Sequence, residues 1–176
     1  MELAELLARS QKGDKEAFAR LAEHYQPYVW RVAWRLMGNR EDAEDLAQEI
    51  WLKVFLQLPG FKGEAAFTTW LYRVAANTCK DALRRRSRQQ ETAWEEEIAV
   101  TVREDIEGEL EVQQLLNQLP PEQRLILIYR DVQGFSYEEI AAILRINPGT
   151  VKSRLARARQ NLRQLWLSAR ERGREL

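Results

Sequence analysis

Residues 135–159 read FSYEEIAAILRINPGTVKSRLARAR and contain two helical patterns separated by a short turn. Ser136 with Glu139 three residues later predicts a capping box at the start of the first helix. Asn147 and Pro148 predict the start of the second helix, because Asn can cap its free N–H groups and Pro fits its first turn. Two helices joined by so short a turn predict a helix-turn-helix.

The second helix of this motif has one apolar face and one basic face. Val151 begins an apolar stripe that continues at four- and three-residue spacing. The outward positions include Lys152, Ser153 and Arg157, and residues 147–165 carry five Lys or Arg in all. Such a face can enter the major groove of DNA, where the N-terminal half of a recognition helix meets base edges. An ordinary solvated basic helix is the alternative interpretation.

The formal net charge of the 176 residues is zero, but the charges are distributed unevenly along the chain. Residues 1–88 carry 15 Lys+Arg against 12 Asp+Glu, residues 89–111 carry 1 against 9, and residues 112–176 carry 11 against 6. Two basic blocks joined by an acidic bridge are typical of a protein that contacts a polyanion at two places. The acidic bridge itself should avoid that polyanion.

Composition argues against several classes of protein. No apolar run approaches the length of about eighteen residues that a membrane span needs, and the N-terminal stretch is acidic, so neither a span nor a secretory signal is predicted. Cys79 is the one cysteine and His24 the one histidine, which argues against a disulfide framework and a zinc site. We therefore expect a cytoplasmic protein without a metal or other cofactor.

Apolar residues recur at three- and four-residue spacing along almost the whole chain, and strand-like alternation is missing. The pattern predicts an all-α protein with two small helical domains joined by a flexible acidic linker, the second domain containing the helix-turn-helix. Gly38 and Asn39 predict a helix end followed at once by a helix start. The expected divisions are residues 1–88 for the first domain, 89–110 for the linker and 111–176 for the second domain.

The stretch REDAEDLAQEIWLKVF, residues 40–55, places three acids on one helical face, namely Asp42, Asp45 and Glu49. Gln48 and Trp51 lie beside them, so this face is a candidate docking surface for a basic partner helix. Alternatively, the acids favour the helix dipole and solubilise the surface. No histidine, glycine-rich loop or nucleophile accompanies them, and no catalytic residue is predicted.

The stretch FTTWLYRVAANTCKDALRRRSR, residues 67–88, has a polar helical stripe formed by Arg73, Asn77, Lys80 and Arg84. Arg and Lys can hold phosphates, and an Asn among them can hydrogen-bond a base edge. Cations near a helix C-terminus also suit the helix dipole, which explains some of them without DNA. The preceding loop, FKGEAAF at residues 61–67, has two aromatic residues that can stack on an unpaired base, although Phe67 at this spacing also fits a core.

Three ordered stretches resemble the bacterial RNA polymerase sigma factors of the extracytoplasmic-function (ECF) group. They are GNREDAEDLAQEIWLKVF at residues 38–55, FKGEAAFTTWLYRVAANTCKDALRRRSR at 61–88 and LPPEQRLILIYRDVQGFSYEEIAAILRINPGTVKSRLARAR at 119–159. The resemblance covers nearly the whole chain except the acidic linker and the tail. It implies a transcription initiation factor that binds core polymerase, recognises the minus-35 and minus-10 promoter elements and promotes DNA melting.

The resemblance also implies roles for individual residues. Core-polymerase binding is implied for Asp42, Asp45, Leu46, Gln48, Glu49 and Trp51. Capture of a flipped minus-10 base is implied for Phe61, Lys62, Gly63, Phe67 and Asn77, with phosphate contacts from Arg73, Lys80, Arg84, Arg85 and Arg86. Minus-35 base contacts are implied for Lys152, Ser153 and Arg157, with Thr150 and Arg154 near the DNA backbone. Some relatives have a bulky residue where this chain has Ala156, so its minus-35 preference can differ.

The partners implied by the resemblance are the beta-prime clamp helices and beta flap of core RNA polymerase, promoter DNA and an anti-sigma factor, with a monomer when free. Two other functions compete with this interpretation. A stand-alone helix-turn-helix transcriptional regulator leaves the acidic face and the Asn77 stripe without a role. An anti-sigma or adaptor protein built on the same scaffold would have lost the DNA-facing arginines, which are present here.

Overall fold

The computed structural model describes the backbone of residues 3–92 and 107–172 and the side chains of residues 3–86 and 111–171. The first bundle contains α1 (Leu3–Gln11), α2 (Lys15–Met37), α3 (Arg40–Gln57) and α4 (Phe67–Thr92), with a 3-10 turn at Leu58–Gly60. The second contains α5 (Glu107–Asn117), α6 (Pro121–Leu127), α7 (Tyr137–Leu144) and α8 (Pro148–Arg172), with a π-helical turn at Ile128–Val132. These ranges contain helices and no strand, which confirms the all-α prediction. No helix among them has the length and apolar content needed to cross a membrane.

The helices reach into both ends of the segment predicted as a linker. Helix α4 continues to Thr92, and α5 begins at Glu107. Residues 93–106, the rest of that segment, lie outside the described residues. The domain divisions therefore stay a prediction.

The break between α2 and α3 has the caps that the sequence predicts. Gly38 adopts the left-handed conformation with φ of 78°, and its N–H donates to the Trp34 carbonyl at 2.9 Å. Asn39 accepts a hydrogen bond from the Asp42 N–H at 2.9 Å through its side-chain oxygen. Both ends are satisfied locally, so two long helices can follow each other with almost no loop and pack side by side.

The helix-turn-helix in the second bundle is also confirmed. The Ser136 hydroxyl accepts from the Glu139 N–H at 3.1 Å, while the Glu139 carboxylate accepts from the Ser136 N–H at 2.7 Å. Arg145 ends α7 in the left-handed conformation, and the Asn147 side chain accepts from the Gly149 N–H at 2.8 Å. Because the start of α8 is fixed in this way, its apolar stripe turns inward and its basic face turns outward.

The two bundles share one continuous apolar core. Tyr129 lies in that core and donates its hydroxyl hydrogen to the Tyr72 carbonyl at 3.1 Å. The Phe135 ring meets the Tyr72 ring edge-on, with centroids 4.7 Å apart. Gln133 donates to the Tyr28 carbonyl at 3.2 Å. Helices α2 and α4 are therefore held directly against the second bundle.

Polar side chains of the second bundle cover the C-terminal end of α2. Gln113 donates to the Arg35 carbonyl at 3.1 Å, and the Arg124 guanidinium donates to the Leu36 carbonyl. A Cβ atom added at Gly38 would lie only 2.4 to 2.9 Å from the Asn117 side chain. A side chain at Gly38 would therefore have to displace the Asn117 amide, which is hydrogen-bonded to Gln113 and Arg124.

Substitution of Gly38 by Ala tests this packing. We expect Gly13→Ala to lower the free energy of unfolding by about 1–2 kcal/mol, because its φ of 91° is unfavourable for Ala although nothing lies within 4 Å of the new methyl group. Gly38→Ala also places Ala at an unfavourable positive φ, and in addition brings its methyl group against Asn117. Its free energy of unfolding should therefore fall further than that of Gly13→Ala. Urea unfolding of both variants measures the difference. Equal losses would show that the Asn117 contact does not restrict this turn.

Candidate nucleic-acid interface

Two of the three acids predicted to form the docking face of α3 are bound by arginines of α4. Asp42 accepts from Arg86 at 3.0 Å, and Glu49 accepts from Arg85 at 2.5 and 3.3 Å. Lys53 adds an ion pair with Glu49 at 3.1 Å. The hydrogen bonds from Arg85 hold the pKa of the Glu49 carboxyl below its usual value. These acids therefore bind α4 in this structure, and Arg85 and Arg86, both assigned to DNA phosphates, already have carboxylate partners.

The remaining polar residues of the predicted docking face point to solvent. Asp45 and Gln48 are exposed, and along the same face lie Leu52 and Leu56, whose exposed fractions are 59% and 66%. We call Asp45, Gln48, Leu52 and Leu56 the docking ridge. The two leucines were missed in the sequence, although their positions seven and eleven residues after Asp45 place them on its face.

Leu46 and Trp51, also implied for polymerase docking, are less exposed to solvent than the ridge residues. Leu46 is only 2% exposed and lies in the core, where it packs α3 onto its own bundle; its contact with a partner stays a prediction. Trp51 is half-buried, its indole N–H donates to the Gln26 side chain, and its ring meets Phe18 edge-on at 6.1 Å. Only part of the Trp51 surface can reach a partner.

The polar stripe on α4 is divided by contact with the second bundle. Asn77 and Arg84 are exposed, as predicted for residues that bind DNA. Arg73 instead donates to the Ala142 carbonyl of α7 at 2.9 Å. Lys80 and Arg84 line one wall of a cavity of about 380 Å³, and Pro120 is part of the opposite wall. The structure thus brings the stripe together on one helix but directs the half-buried Arg73 toward α7.

The loop before α4 lies on an aromatic cluster. The Phe61 ring packs on Trp70 and Phe67, with centroid distances of 5.2 and 6.0 Å. Lys62 and Gly63 are exposed at the tip, where Gly63 has a positive φ of 73°. Phe67 is half-buried, so it contributes to the core and keeps part of its ring accessible. The arrangement offers aromatic faces beside an exposed cation, which suits an unpaired base and its phosphate.

The basic face of α8 is open along its first turns. Lys152, Ser153 and Arg157 are exposed, while Val151 and Leu155 on the opposite side are buried. A cavity of about 410 Å³ lies beside this face and is lined by Glu122, Gln123, Thr150, Ser153, Arg154 and Arg157. Arg154 forms a long ion pair with Glu122 at 3.4 Å. Thr150 and Arg154 therefore lie at the edge of the face that carries the three residues assigned to bases.

Nothing in the described residues resembles a metal centre, since no three His, Cys, Asp or Glu side chains are grouped there as ligands would be. The arrangement consists of two basic surfaces, one on each bundle, and one acidic and apolar ridge. Such surfaces bind polyanions and protein partners by hydrogen bonds, charge and burial.

Comparisons with known proteins agree with this arrangement. Sigma-70 region 2 matches residues 21–89, and sigma-70 region 4 matches residues 109–162. The chain is 36% identical to the RNA polymerase sigma-H factor of Pseudomonas aeruginosa over 89% of each chain, and 37% identical to the ECF RNA polymerase sigma factor SigM of Mycobacterium tuberculosis over 92% of this chain and 83% of that one.

A solved structure extends the likeness to the fold. The sigma factor RpoE from Bartonella quintana, in complex with the anti-sigma factor NepR, is similar with a TM-score of 0.70 and 28% identity. The match covers 85% of this chain and 96% of that one. The two matched regions and the identity across most of the chain show that this protein belongs to the sigma-70 family, as a promoter-recognising sigma factor of the ECF group.

Proposed function

We propose that this sigma factor docks on core RNA polymerase through the docking ridge, opens the minus-10 element with α4 and its preceding loop, and recognises the minus-35 element with α8. The observation that supports the proposal best is the exposed ridge on α3, a helix that the Arg85–Glu49 and Arg86–Asp42 pairs tie to α4. A regulator that binds DNA alone has no use for a protein-docking surface in addition to two DNA surfaces.

Docking on the polymerase depends chiefly on the part of α3 that faces solvent. Asp45 can pair with a cation of the beta-prime clamp helices, while Leu52 and Leu56 add apolar area that water leaves on binding. Glu49 and Asp42 act indirectly in this proposal, since their hydrogen bonds with α4 keep the two helices together. The ridge and the minus-10 surface are therefore parts of one rigid pair of helices.

Melting at the minus-10 element requires energy that the protein must supply by binding. Extruding a base costs a few kcal/mol of stacking and pairing. Burial of that base against the ring of Phe61, with Asn77 bonding its edge, recovers part of this energy. Lys80 and Arg84 to Arg86 hold phosphates of the displaced strand. No covalent chemistry is needed from the sigma factor, and RNA synthesis itself belongs to the polymerase.

The two bundles must separate from the arrangement described above before all of these contacts can form. Arg73 is half-buried and donates one N–H to the Ala142 carbonyl, so it has fewer donors left for a phosphate while α7 lies against it. Separation also allows two weak contacts with DNA to act at a fixed distance, so each raises the effective concentration of the other. Core polymerase, which binds the first bundle at the ridge and the second at the beta flap, stabilises the separated form.

An anti-sigma factor would act in the opposite direction by stabilising the form in which the bundles are together. The similar Bartonella quintana sigma factor was solved with its anti-sigma factor, and its likeness covers both bundles of this chain. This regulation takes place in the cytoplasm, where the polymerase works.

Reconstituted transcription tests the proposed function. The purified chain with core polymerase should give run-off transcripts that start at defined sites on genomic fragments, whereas core polymerase alone should not. The free chain should bind the same promoters weakly, because its two DNA surfaces act together only on the polymerase. Nanomolar operator binding without the polymerase would contradict the proposal and favour a stand-alone regulator.

The docking ridge can be tested without disturbing the core. We expect Asp45→Arg, and separately Leu52→Ser with Leu56→Ser, to weaken core-polymerase binding by at least about tenfold, because all three side chains are exposed. Fluorescence anisotropy with labelled sigma factor measures the affinity. Glu23→Arg makes the same charge change on α2 and should bind as the wild type does. Unchanged affinity in both ridge variants would remove the ridge from the polymerase interface.

Minus-35 recognition is tested on α8. Lys152→Ala and Arg157→Ala should each weaken holoenzyme binding to the promoter by roughly 1–3 kcal/mol per lost base contact. Transcription should fall only from promoters that have a minus-35 element. Arg163→Ala, an exposed change later on the same helix, is the matched control. The measurement is transcription by the holoenzyme from templates with and without the element. An equal loss on both templates would show that these residues contribute only non-specific charge.

A further inference from the structure

Helix α1 lies outside residues 21–89, the part of the first bundle that matches sigma-70 region 2. It nevertheless contacts the turn that leads into the loop before α4. Leu6 on α1 packs with Leu21 and with Leu58 of the 3-10 turn in a small separate core. Phe61 and Trp70 pack against the same core. The aromatic cluster proposed to receive a flipped base therefore rests on α1 from behind.

One polar contact connects α1 to the loop backbone itself. The Gln11 side-chain N–H donates to the Phe61 carbonyl at 2.7 Å, across 50 residues of sequence. On the other side, the Phe61 N–H donates to the Leu58 carbonyl at 3.0 Å. Both polar groups of the Phe61 backbone are thus fixed. The direction in which the chain leaves toward Lys62 and Gly63 is fixed with them.

Gln11 is itself held in place by the turn that follows it. Arg9 forms an ion pair with Asp14 at 2.7 Å, across this turn. Asp14 also caps α2 by accepting from the Ala17 N–H at 3.0 Å. The Lys12 N–H donates to the Arg9 carbonyl at 3.0 Å, which closes the end of α1. Because this turn is anchored to α2, the Gln11 amide has a defined position relative to the whole bundle.

We propose that Gln11 is a positioning residue for promoter melting: by holding the Phe61 carbonyl, it presents Lys62, Gly63 and the Phe61 ring in the orientation that receives the flipped minus-10 base. Gln11 does not touch DNA in this proposal and acts only through the loop. A site held in its productive geometry beforehand loses less binding energy to ordering when the base arrives. The inference rests on the proposed function of the loop.

The first test needs no DNA. In the free protein, Gln11→Ala and Gln11→Glu should increase amide hydrogen exchange at residues 62–66, since one removes the donor and the other places a carboxylate against a carbonyl. Lys12→Ala, an exposed change at the next position, should leave exchange in the loop unchanged. Wild-type exchange in both Gln11 variants would overturn the inference whatever the protein does with DNA.

The second test measures the opened promoter. A holoenzyme with Gln11→Ala should give about 2- to 10-fold less open complex, the effect of one hydrogen bond, as measured by 2-aminopurine fluorescence at the unstacked minus-10 base. Core-polymerase affinity and minus-35 binding should match those of Lys12→Ala, and the midpoint of urea unfolding should fall by no more than the loss of one hydrogen bond explains. A parallel loss in all of these properties would mean that Gln11 only stabilises the fold, and wild-type melting would mean that the contact is irrelevant; either result overturns the proposal. Failure of the wild-type holoenzyme to melt any promoter would instead overturn the proposed function.

Discussion

A buried guanidinium decides how the two bundles meet. Arg124 is 8% exposed, and its hydrogen bonds go to the carbonyls of Leu36, Asn117 and Leu119 and to the Asn117 side chain. A charge removed from water is unfavourable unless such partners surround it. Burial lowers the Arg124 pKa to about 10, so it is still protonated at neutral pH. The C-terminal carbonyls of α2 carry the negative end of the helix dipole, which makes this helix end a suitable place for a cation that has no carboxylate partner.

This contact limits where the rest of the second bundle can lie. With the end of α2 held by α5 and α6, the core side chains around Tyr129 and Phe135 meet Tyr72 on α4. The next residue, Arg73, then lies under α7 and donates to Ala142, whereas Asn77 one turn later remains outside. The proposed minus-10 surface is therefore divided by the same packing that stabilises the closed arrangement.

Features that depend on neighbours in sequence could be predicted, and features that depend on distant residues could not. The caps at Gly38, Asn39 and Ser136 are made by bonds within four residues, so a short pattern contains all the information. The Arg124 contact with Leu36 joins residues 88 positions apart. Apolar periodicity identifies the buried face of each helix but does not say which helix covers it, and a buried Arg or Gln leaves no periodic signal.

The positive charges assigned to DNA are balanced partly inside the bundles and not by the acidic linker alone. Three of the arginines assigned to DNA have carboxylate partners within their own bundle, in the pairs Arg85–Glu49, Arg86–Asp42 and Arg154–Glu122. These pairs lie near the surface, where an ion pair contributes about 0–1 kcal/mol, so a phosphate can replace the carboxylate at little cost. Arg73 differs, because its partner is a carbonyl of the other bundle and its Nε atom is buried without a hydrogen bond. Movement of α7 would free this guanidinium for a phosphate, so the availability of Arg73 depends on how far the bundles have separated.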